Sequence, residues 1–358
     1  MTDALPKVLA VDEQTEAARV LCAHLCETLS DVARVEVLSI ERGSGRFVAD
    51  DDQDAEIREY YGKVEDILPH VEGVVALAVH VAPVPKALIE TARDLRFIAC
   101  ARGGPVNVNV MAATTRGIPV IFTPGRNADA VADLTLGLMI AAARHIARAD
   151  ALVRGGVEYW NKDIRATLVG AELGGKTLGL IGFGNVGRKV LARAKGFGLK
   201  ALVYDPFVSP EQVKAEGAVP TDLSDLLAGS DFVSLHLRES EETFHFMNAR
   251  RFAAMKPGSY FINTSRGSQV DEQALYDVLV SGHLAGAALD VMAEEPVRAN
   301  HPLLTLPNVT VTPHIGGQTR EISLRGAEML SEDLRAALTG GRPRRVINPQ
   351  VFDDGRRA

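Results

Sequence analysis

Three polar residues close three apolar runs in the last third of the chain: Arg266 in NTSRG, Glu295 in DVMAEEP and His314 in TPHIGG. The runs themselves, YFINTS (260–265), GAALDV (286–291) and VTVTPHI (309–315), read as strands. In open α/β sheets ligands bind outside the carboxyl ends of the strands, so all three residues are candidates for one site. Their types suit one piece of chemistry. A histidine titrates near neutral pH and can give or take the proton of a hydroxyl. An arginine grips a carboxylate with a two-pronged fork and polarises the adjoining carbonyl. A carboxylate beside a histidine favours the imidazolium, the form that donates a proton. Each residue also has an ordinary reading. Arg266 can cap the turn before Gly267, Glu294 competes with Glu295, and His314, between Pro313 and the pair Gly316-Gly317, can be an incidental loop histidine.

A glycine motif decides between the readings. GLIGFGNVGRKV contains Gly182-x-Gly184-x-x-Gly187, with the apolar segment TLGLI running into it and a helical segment, 185–198, running out. In that context the first glycine permits a tight turn, the second lets backbone approach a pyrophosphate, and the third lets helix pack on strand. The helix N-terminus offers N–H groups to the phosphates without net positive charge. Further on, the strand ALVYD ends in Asp205. A carboxylate there accepts from both adenosine ribose hydroxyls and repels a 2′-phosphate, which favours NAD over NADP. The nearest basic residue after that strand, Lys214, is poorly placed to reverse the preference. The competing reading of Asp205 is a strand-end turn with Pro206. Behind such a motif, the strand-end trio implies hydride transfer between a nicotinamide and a 2-hydroxy or 2-oxo acid.

The elements that must position these residues alternate along the chain. KVLAV (7–11), VEVLSI (35–40), VVALAV (74–79), RFIACA (96–101) and PVIFT (119–123) read as strands, with helical segments at 14–29 and 85–94. Such alternation implies an open parallel α/β sheet. Segment 41–60, with DDQD at 51–54, reads as a solvated surface insertion. A long helix over 128–153 leads, through a loop, to a second α/β unit with strands at 177–184, 201–205 and 231–237 before the three above. A last helix spans 318–339, followed by a Gly-Pro-Arg tail. The 358 residues suit about two domains. A net charge of −7 argues against non-specific nucleic-acid and anionic-membrane binding. Cys22, Cys26 and Cys100 read as buried free thiols, with no metal set. With no signal peptide and no apolar stretch of membrane length, a soluble, cytoplasmic protein is expected.

The chain resembles the D-isomer-specific 2-hydroxyacid dehydrogenases, the group that contains D-3-phosphoglycerate dehydrogenase and glyoxylate/hydroxypyruvate reductases. The resemblance runs from about Leu95 to about Ile322. It rests on RGIPV (116–120), GRNADAVADLTLGLM (125–139), LGGKTLGLIGFGNVGR (173–188), NTSRGSQVDEQAL (263–275), GAALDVMAEEP (286–296) and LPNVTVTPHIGGQT (306–319). It implies Arg266 as substrate anchor, His314 as acid/base and Glu295, the glutamate before proline, as its partner. It implies a cofactor-binding set of Gly182, Gly184, Asn185, Val186, Gly187, Asp205, His236, Thr264, Asp290 and Gly316. It also implies two doubly wound domains: a flavodoxin-like substrate domain, 1–126 completed by 318–358, and a Rossmann NAD-binding domain, 127–317. The active site is expected in a cleft between them. A homodimer through the cofactor domain is expected, with Tyr159 and Trp160 in a loop that reaches the partner.

The sequence departs from the family pattern in the substrate loop ARGGPVNVNV (101–110), where Val106 stands in place of the usual Asp. Backbone N–H groups around Gly103 and Gly104 can still hold a carboxylate. The loop AVHVAPVPK (78–86) lacks the basic residues of some phosphoglycerate-specific members, and the regulatory domain of the longer phosphoglycerate enzymes is not expected. Against that, Arg102 and Arg126, with His80 nearby, are candidates to receive a second anionic group. The substrate is thus left open among 3-phosphoglycerate, glycerate/hydroxypyruvate and glyoxylate. An alternative from another class is an NAD-sensing, corepressor-like interaction protein with incidental turnover. Formate dehydrogenase is disfavoured, because it expects Gln where Glu295 stands.

Overall fold

Apolar, β-branched runs form two parallel sheets in the computed structural model, which describes residues 5–43, 56–158 and 160–353. The DDQD run and Tyr159 lie outside the described residues. The chain divides into two compact units, Met1–Arg126 with Thr319–Ala358, and Asn127–Gln318.

The first unit holds β1 (Lys7–Asp12), β2 (Arg34–Ser39), β3 (Val74–Val79), β4 (Phe97–Cys100) and β5 (Val120–Ile121). They pair in parallel in the order β2-β1-β3-β4-β5, the flavodoxin-like winding. Strand residues such as Val8, Leu9, Ala10 and Val11 are all buried, because helices cover both faces and the usual polar alternation is lost. One covering helix, Glu16–Thr28, starts where the Thr15 hydroxyl accepts the Ala18 N–H. Its Leu21 and Leu25 share a cluster with Leu330 and Leu334 of the helix Arg320–Leu338. Each fully buried leucine of that kind contributes about 1.5–3 kcal/mol. Arg335 also ties the second of these helices to the turn that follows the first, through Asp31 at 2.7 Å.

The expected strand 119–123 shrinks to two residues, because Phe122 N–H turns to the Arg345 carbonyl. The tail after the last helix is therefore structural: Val346 bridges Ile121, and Asn348 Oδ1 accepts the Val120 N–H. Cys22 and Cys100 are buried, but Cys26 is exposed, a correction to the expectation of three buried thiols. Burial pushes the Cys100 thiol up to about 12.

The second unit holds β6 (Thr177–Ile181), β7 (Lys200–Tyr204), β8 (Val219–Pro220), β9 (Phe232–Leu235), β10 (Tyr260–Asn263), β11 (Gly286–Leu289) and β12 (Val309–Val311). The order β12-β11-β10-β9-β6-β7-β8 is the Rossmann winding with a seventh strand. It reverses direction between β6 and β9, the switch point where such sheets bind dinucleotides.

The expected continuous helix over 128–153 is two helices, Ala128–Ala143 and Ile146–Arg154, bent by 64°. His145 lies at φ +53°. The Ala143 carbonyl, which would continue the ladder, accepts the Ala171 N–H at 2.9 Å instead. A Cβ on Gly170 would lie 2.3 Å from that oxygen, so only glycine lets the returning chain come so close.

Candidate active site

The glycine turn after β6 is built as its sequence implies. Gly182 lies at φ +95°, and a Cβ there would sit 2.6 Å from the His236 carbonyl oxygen. A Cβ on Gly187 would sit 2.4 Å from the Gly182 carbonyl oxygen. Gly184 differs: nothing lies within 4 Å of its would-be Cβ. It caps the helix Asn185–Gly196 without a side-chain hydrogen bond, so the first N–H groups of that helix stay open. Gly184 and Asn185 are exposed and Val186 is half-buried. This open, positively polarised helix end fits a pyrophosphate.

Asp205, just past β7, faces that turn. Its Oδ2 accepts the Phe183 N–H at 2.7 Å and its Oδ1 the Phe207 N–H at 2.8 Å. The carboxylate thus ties the strand end to the glycine loop and also makes the turn with Pro206. Thr264, at the end of β10, is buried with its hydroxyl 2.8 Å from that of Thr135. His236 follows β9, with Nε2 2.9 Å from the Ser234 hydroxyl and Nδ1 enclosed without a partner. Burial pushes its imidazole down to about 3. It is therefore neutral at ordinary pH and cannot serve as an imidazolium donor.

His314 Nδ1 lies 2.7 Å from Glu295 Oε2. Glu295 Oε1 accepts the Met292 N–H at 3.1 Å, which aims the carboxylate. The neighbouring Glu294 turns away to Arg298 at 2.8 Å. Asp290 has its carboxylate committed to the turn: Oδ1 accepts from the Thr312 hydroxyl (2.6 Å) and the Ile315 N–H (2.9 Å), Oδ2 from the Gly316 N–H (2.8 Å). His314 itself carries the left-handed backbone, at φ +52°, and its N–H donates to the Asp290 carbonyl at 2.8 Å. Gly316 is needed for a different reason, since a Cβ there would sit 2.8 Å from Asp290 Oδ2. The absence of a side chain at Gly316 makes room for this buried carboxylate.

Arg266 sits in a turn held by Asn263, whose Nδ2 donates to the Arg266 carbonyl at 2.9 Å. A Cβ on the next residue, Gly267, would lie 2.0 Å from the Met292 carbonyl, so the arginine's turn packs directly on the segment that aims Glu295. The guanidinium donates through Nη1 to the Ser265 carbonyl at 2.7 Å, and its Nε lies 3.6 Å from Glu239 Oε2. The side chains of Arg266, Glu295 and His314 are 54%, 39% and 46% exposed, open enough to meet a ligand. Among the described residues no group of three or more His, Cys, Asp or Glu could hold a metal.

In the first unit two of the candidates already have partners. Arg102 is not a free cation: its guanidinium is paired with the Glu59 carboxylate and donates to the Glu59 carbonyl at 2.9 Å. His80 Nδ1 is 3.3 Å from Oε1 of the fully buried Glu13. Burial lowers the His80 pKa, and Glu13 opposes the shift. Burial also lowers that of Arg126. Gly103 and Gly104 are exposed. Sequence reading passed over Glu13, Glu59, Glu239 and Asn263. Only Asn263 carried a local signal, as a polar residue ending an apolar strand. Glu59 lies in the stretch expected to be a solvated surface insertion.

Residues 136–316 match the family model described as D-isomer specific 2-hydroxyacid dehydrogenase, NAD binding domain. The chain is 42% identical over 273 residues to a glyoxylate reductase of Thermococcus litoralis, covering 75% of this chain and 82% of that protein. It is 43% identical over 272 residues to a hydroxypyruvate reductase of Thermotoga maritima, 74% and 85% covered. A D-3-phosphoglycerate dehydrogenase of Methanocaldococcus jannaschii is 38% identical, but only 53% of its length is matched. Among solved structures, the TT0316 protein from Thermus thermophilus superposes with a TM-score of 0.72 at 34% identity, over 95% of this chain and 99% of that one. A glyoxylate reductase from Paecilomyes thermophila gives 0.73 at 28% identity, over 98% and 100%. A match that spans the glycine turn and ends within the turn of His314, with relatives aligned over four fifths of their length, means that the chain belongs to the D-isomer specific 2-hydroxyacid dehydrogenase family and uses NAD as its cofactor.

Proposed function

We propose that this NAD-dependent dehydrogenase reduces a small, unphosphorylated 2-oxo acid, glyoxylate or hydroxypyruvate, to the corresponding 2-hydroxy acid, glycolate or D-glycerate. The observation that carries the proposal is the 2.7 Å contact between His314 Nδ1 and Glu295 Oε2. With Nδ1–H donated to the carboxylate, Nε2 is the nitrogen left to face substrate. Arg266 grips the carboxylate of the acid and turns its carbonyl oxygen toward His314. The bound nicotinamide supplies the hydride. His314 gives its Nε2 proton to the carbonyl oxygen as charge builds there, and Glu295 stabilises the imidazolium before transfer. In the oxidative direction His314 takes the proton back. His236, kept neutral by burial, has no part in the proton transfer.

Two further points support the substrate class. The two reductases aligned over four fifths of their own length are named for glyoxylate and hydroxypyruvate. Arg102, one of the two arginines considered for a second anionic group, is already paired with Glu59. The test is NADH oxidation followed by absorbance with glyoxylate, hydroxypyruvate, pyruvate, 2-oxoglutarate and phosphohydroxypyruvate. Turnover is expected on the first two. Turnover confined to the phosphorylated acid would overturn the substrate class, and none with any acid would overturn the reaction.

A further inference from the structure

We propose that Glu239 is an internal carboxylate that occupies Arg266 until a substrate carboxylate displaces it. The inference rests on the reading of Arg266 as the substrate anchor. Glu239 stands three residues beyond His236, on the segment that leaves β9. Its Oε2 lies 3.6 Å from Arg266 Nε, and its Oε1 accepts from the Ser268 hydroxyl at 2.5 Å. The serine sits two residues past the arginine, so one short turn supplies both a cation and a hydroxyl that hold the same carboxylate. The remaining guanidinium contact, Nη1 to the Ser265 carbonyl, fixes the other side of the fork.

The chemistry of this arrangement matches that of the expected ligand. A 2-oxo acid offers Arg266 a carboxylate of the same charge and geometry as the one Glu239 already presents. A guanidinium has five N–H donors, but its forked face takes one carboxylate in bidentate fashion. Glu239 faces the Nε edge of that fork at 3.6 Å, beyond hydrogen-bond distance, so it competes with an incoming carboxylate through its charge and its place rather than by filling the fork. At 54% and 55% exposure the pair is open to water, so it exchanges readily and is held weakly. A weak competitor has a definite effect. It keeps Arg266 extended and neutralised in the empty enzyme, and it raises the concentration of acid needed to fill the site. Once displaced, Glu239 returns to water and makes no contact in the reaction. Its removal must then act on binding rather than on the chemical step.

The experiment is steady-state kinetics of Glu239→Gln with glyoxylate and NADH. An exposed ion pair limits the effect to about a two- to five-fold fall in KM, with no matching rise in kcat. Glu239→Asp should keep part of the competition and lie between the two. The gap between wild type and Glu239→Gln should close as salt rises, because screening weakens an exposed pair. Closure is expected of any exposed ion pair; the sign of the gap, a lower KM in Glu239→Gln, is what separates competition from orientation. Calorimetric binding of oxamate, a stable 2-oxo acid analogue, to the NADH complex should tighten by the same factor in Glu239→Gln. An unchanged KM and oxamate affinity, or a higher KM, would overturn the proposal, the latter by showing that Glu239 orients Arg266. A wild type that turns over no 2-oxo acid would remove the functional reading, while the oxamate comparison would still decide this one.

Discussion

His314 and Asp290 are bound twice over: the histidine N–H donates to the Asp290 carbonyl, while the Asp290 side chain closes the two N–H groups that follow it in the chain. A left-handed backbone at a non-glycine residue is costly and persists only where its surroundings hold it. Here a buried carboxylate does the holding. The ring is aimed separately, by Glu295. One acidic residue thus sets the backbone of His314 and another sets its imidazole.

Loss of the ring should therefore be felt in chemistry and not in cofactor binding. We expect His314→Gln to lower kcat by about 10²–10⁴-fold, the usual contribution of a positioned acid or base. NADH affinity, read by fluorescence titration, should stay within about twofold of wild type. Glu295→Gln should cost less, because the imidazole keeps a hydrogen-bond partner without the charge. An equal loss of NADH binding would mean that His314 serves the fold.

Asp290→Asn should loosen the turn. An amide cannot accept all three of the hydrogen bonds that the carboxylate accepts and carries an N–H₂ group into a buried site. A loss of about 1–3 kcal/mol in urea unfolding is expected, together with a fall in kcat. Unchanged stability would show that the three contacts at Asp290 are not needed to hold the histidine.

Arg266→Lys should be nearly as damaging as Arg266→Ala. A lysine keeps the charge but loses the fork that grips a planar carboxylate. A drop in kcat/KM on the order of 10- to 100-fold is expected for both, from the strength of charged hydrogen bonds. Full activity in the lysine variant would remove the bidentate role.

Asp205→Ala should narrow the preference for NADH over NADPH by on the order of tenfold, because a nearby negative charge no longer repels the 2′-phosphate. The measurement is the ratio of kcat/KM values with the two cofactors. Some loss of stability should accompany it, since the Phe183 and Phe207 N–H groups lose their acceptor. A ratio that does not move would return Asp205 to a purely structural role.

His236 should contribute to acid sensitivity. Its folded pKa is held at about 3 by burial, well below the ordinary value of 6.5. Between those values the unfolded chain binds a proton that the folded chain does not. Stability from this site is full above pH 6.5 and falls as pH drops toward 3, with a slope of up to about 1.4 kcal/mol per pH unit. Urea unfolding of His236→Gln at pH 7 and pH 5 should show a smaller acid loss than wild type. Identical losses would show that His236 is not the group responsible.

Features that depend on neighbours in sequence were legible without any structure. The turn at Gly182, the close packing at Gly187 and the strand ending in Asp205 are local demands on backbone, so their residue types announce them. The same holds for the alternation of apolar strands and amphipathic helices, and for polar residues placed just past strands, as with Arg266 and His314. What only the tertiary structure decided were pairings between distant segments. Which of Glu294 and Glu295 meets His314 depends on how two strand ends lie side by side. That Arg102 is neutralised by Glu59, and that Arg266 is shadowed by Glu239, depends on segments 43 and 27 residues away finding those arginines. The break at His145 likewise comes from Ala171 reaching the Ala143 carbonyl, a contact no helical periodicity records. Periodicity reports which face is buried; it carries no information on which charge across the fold a side chain will meet.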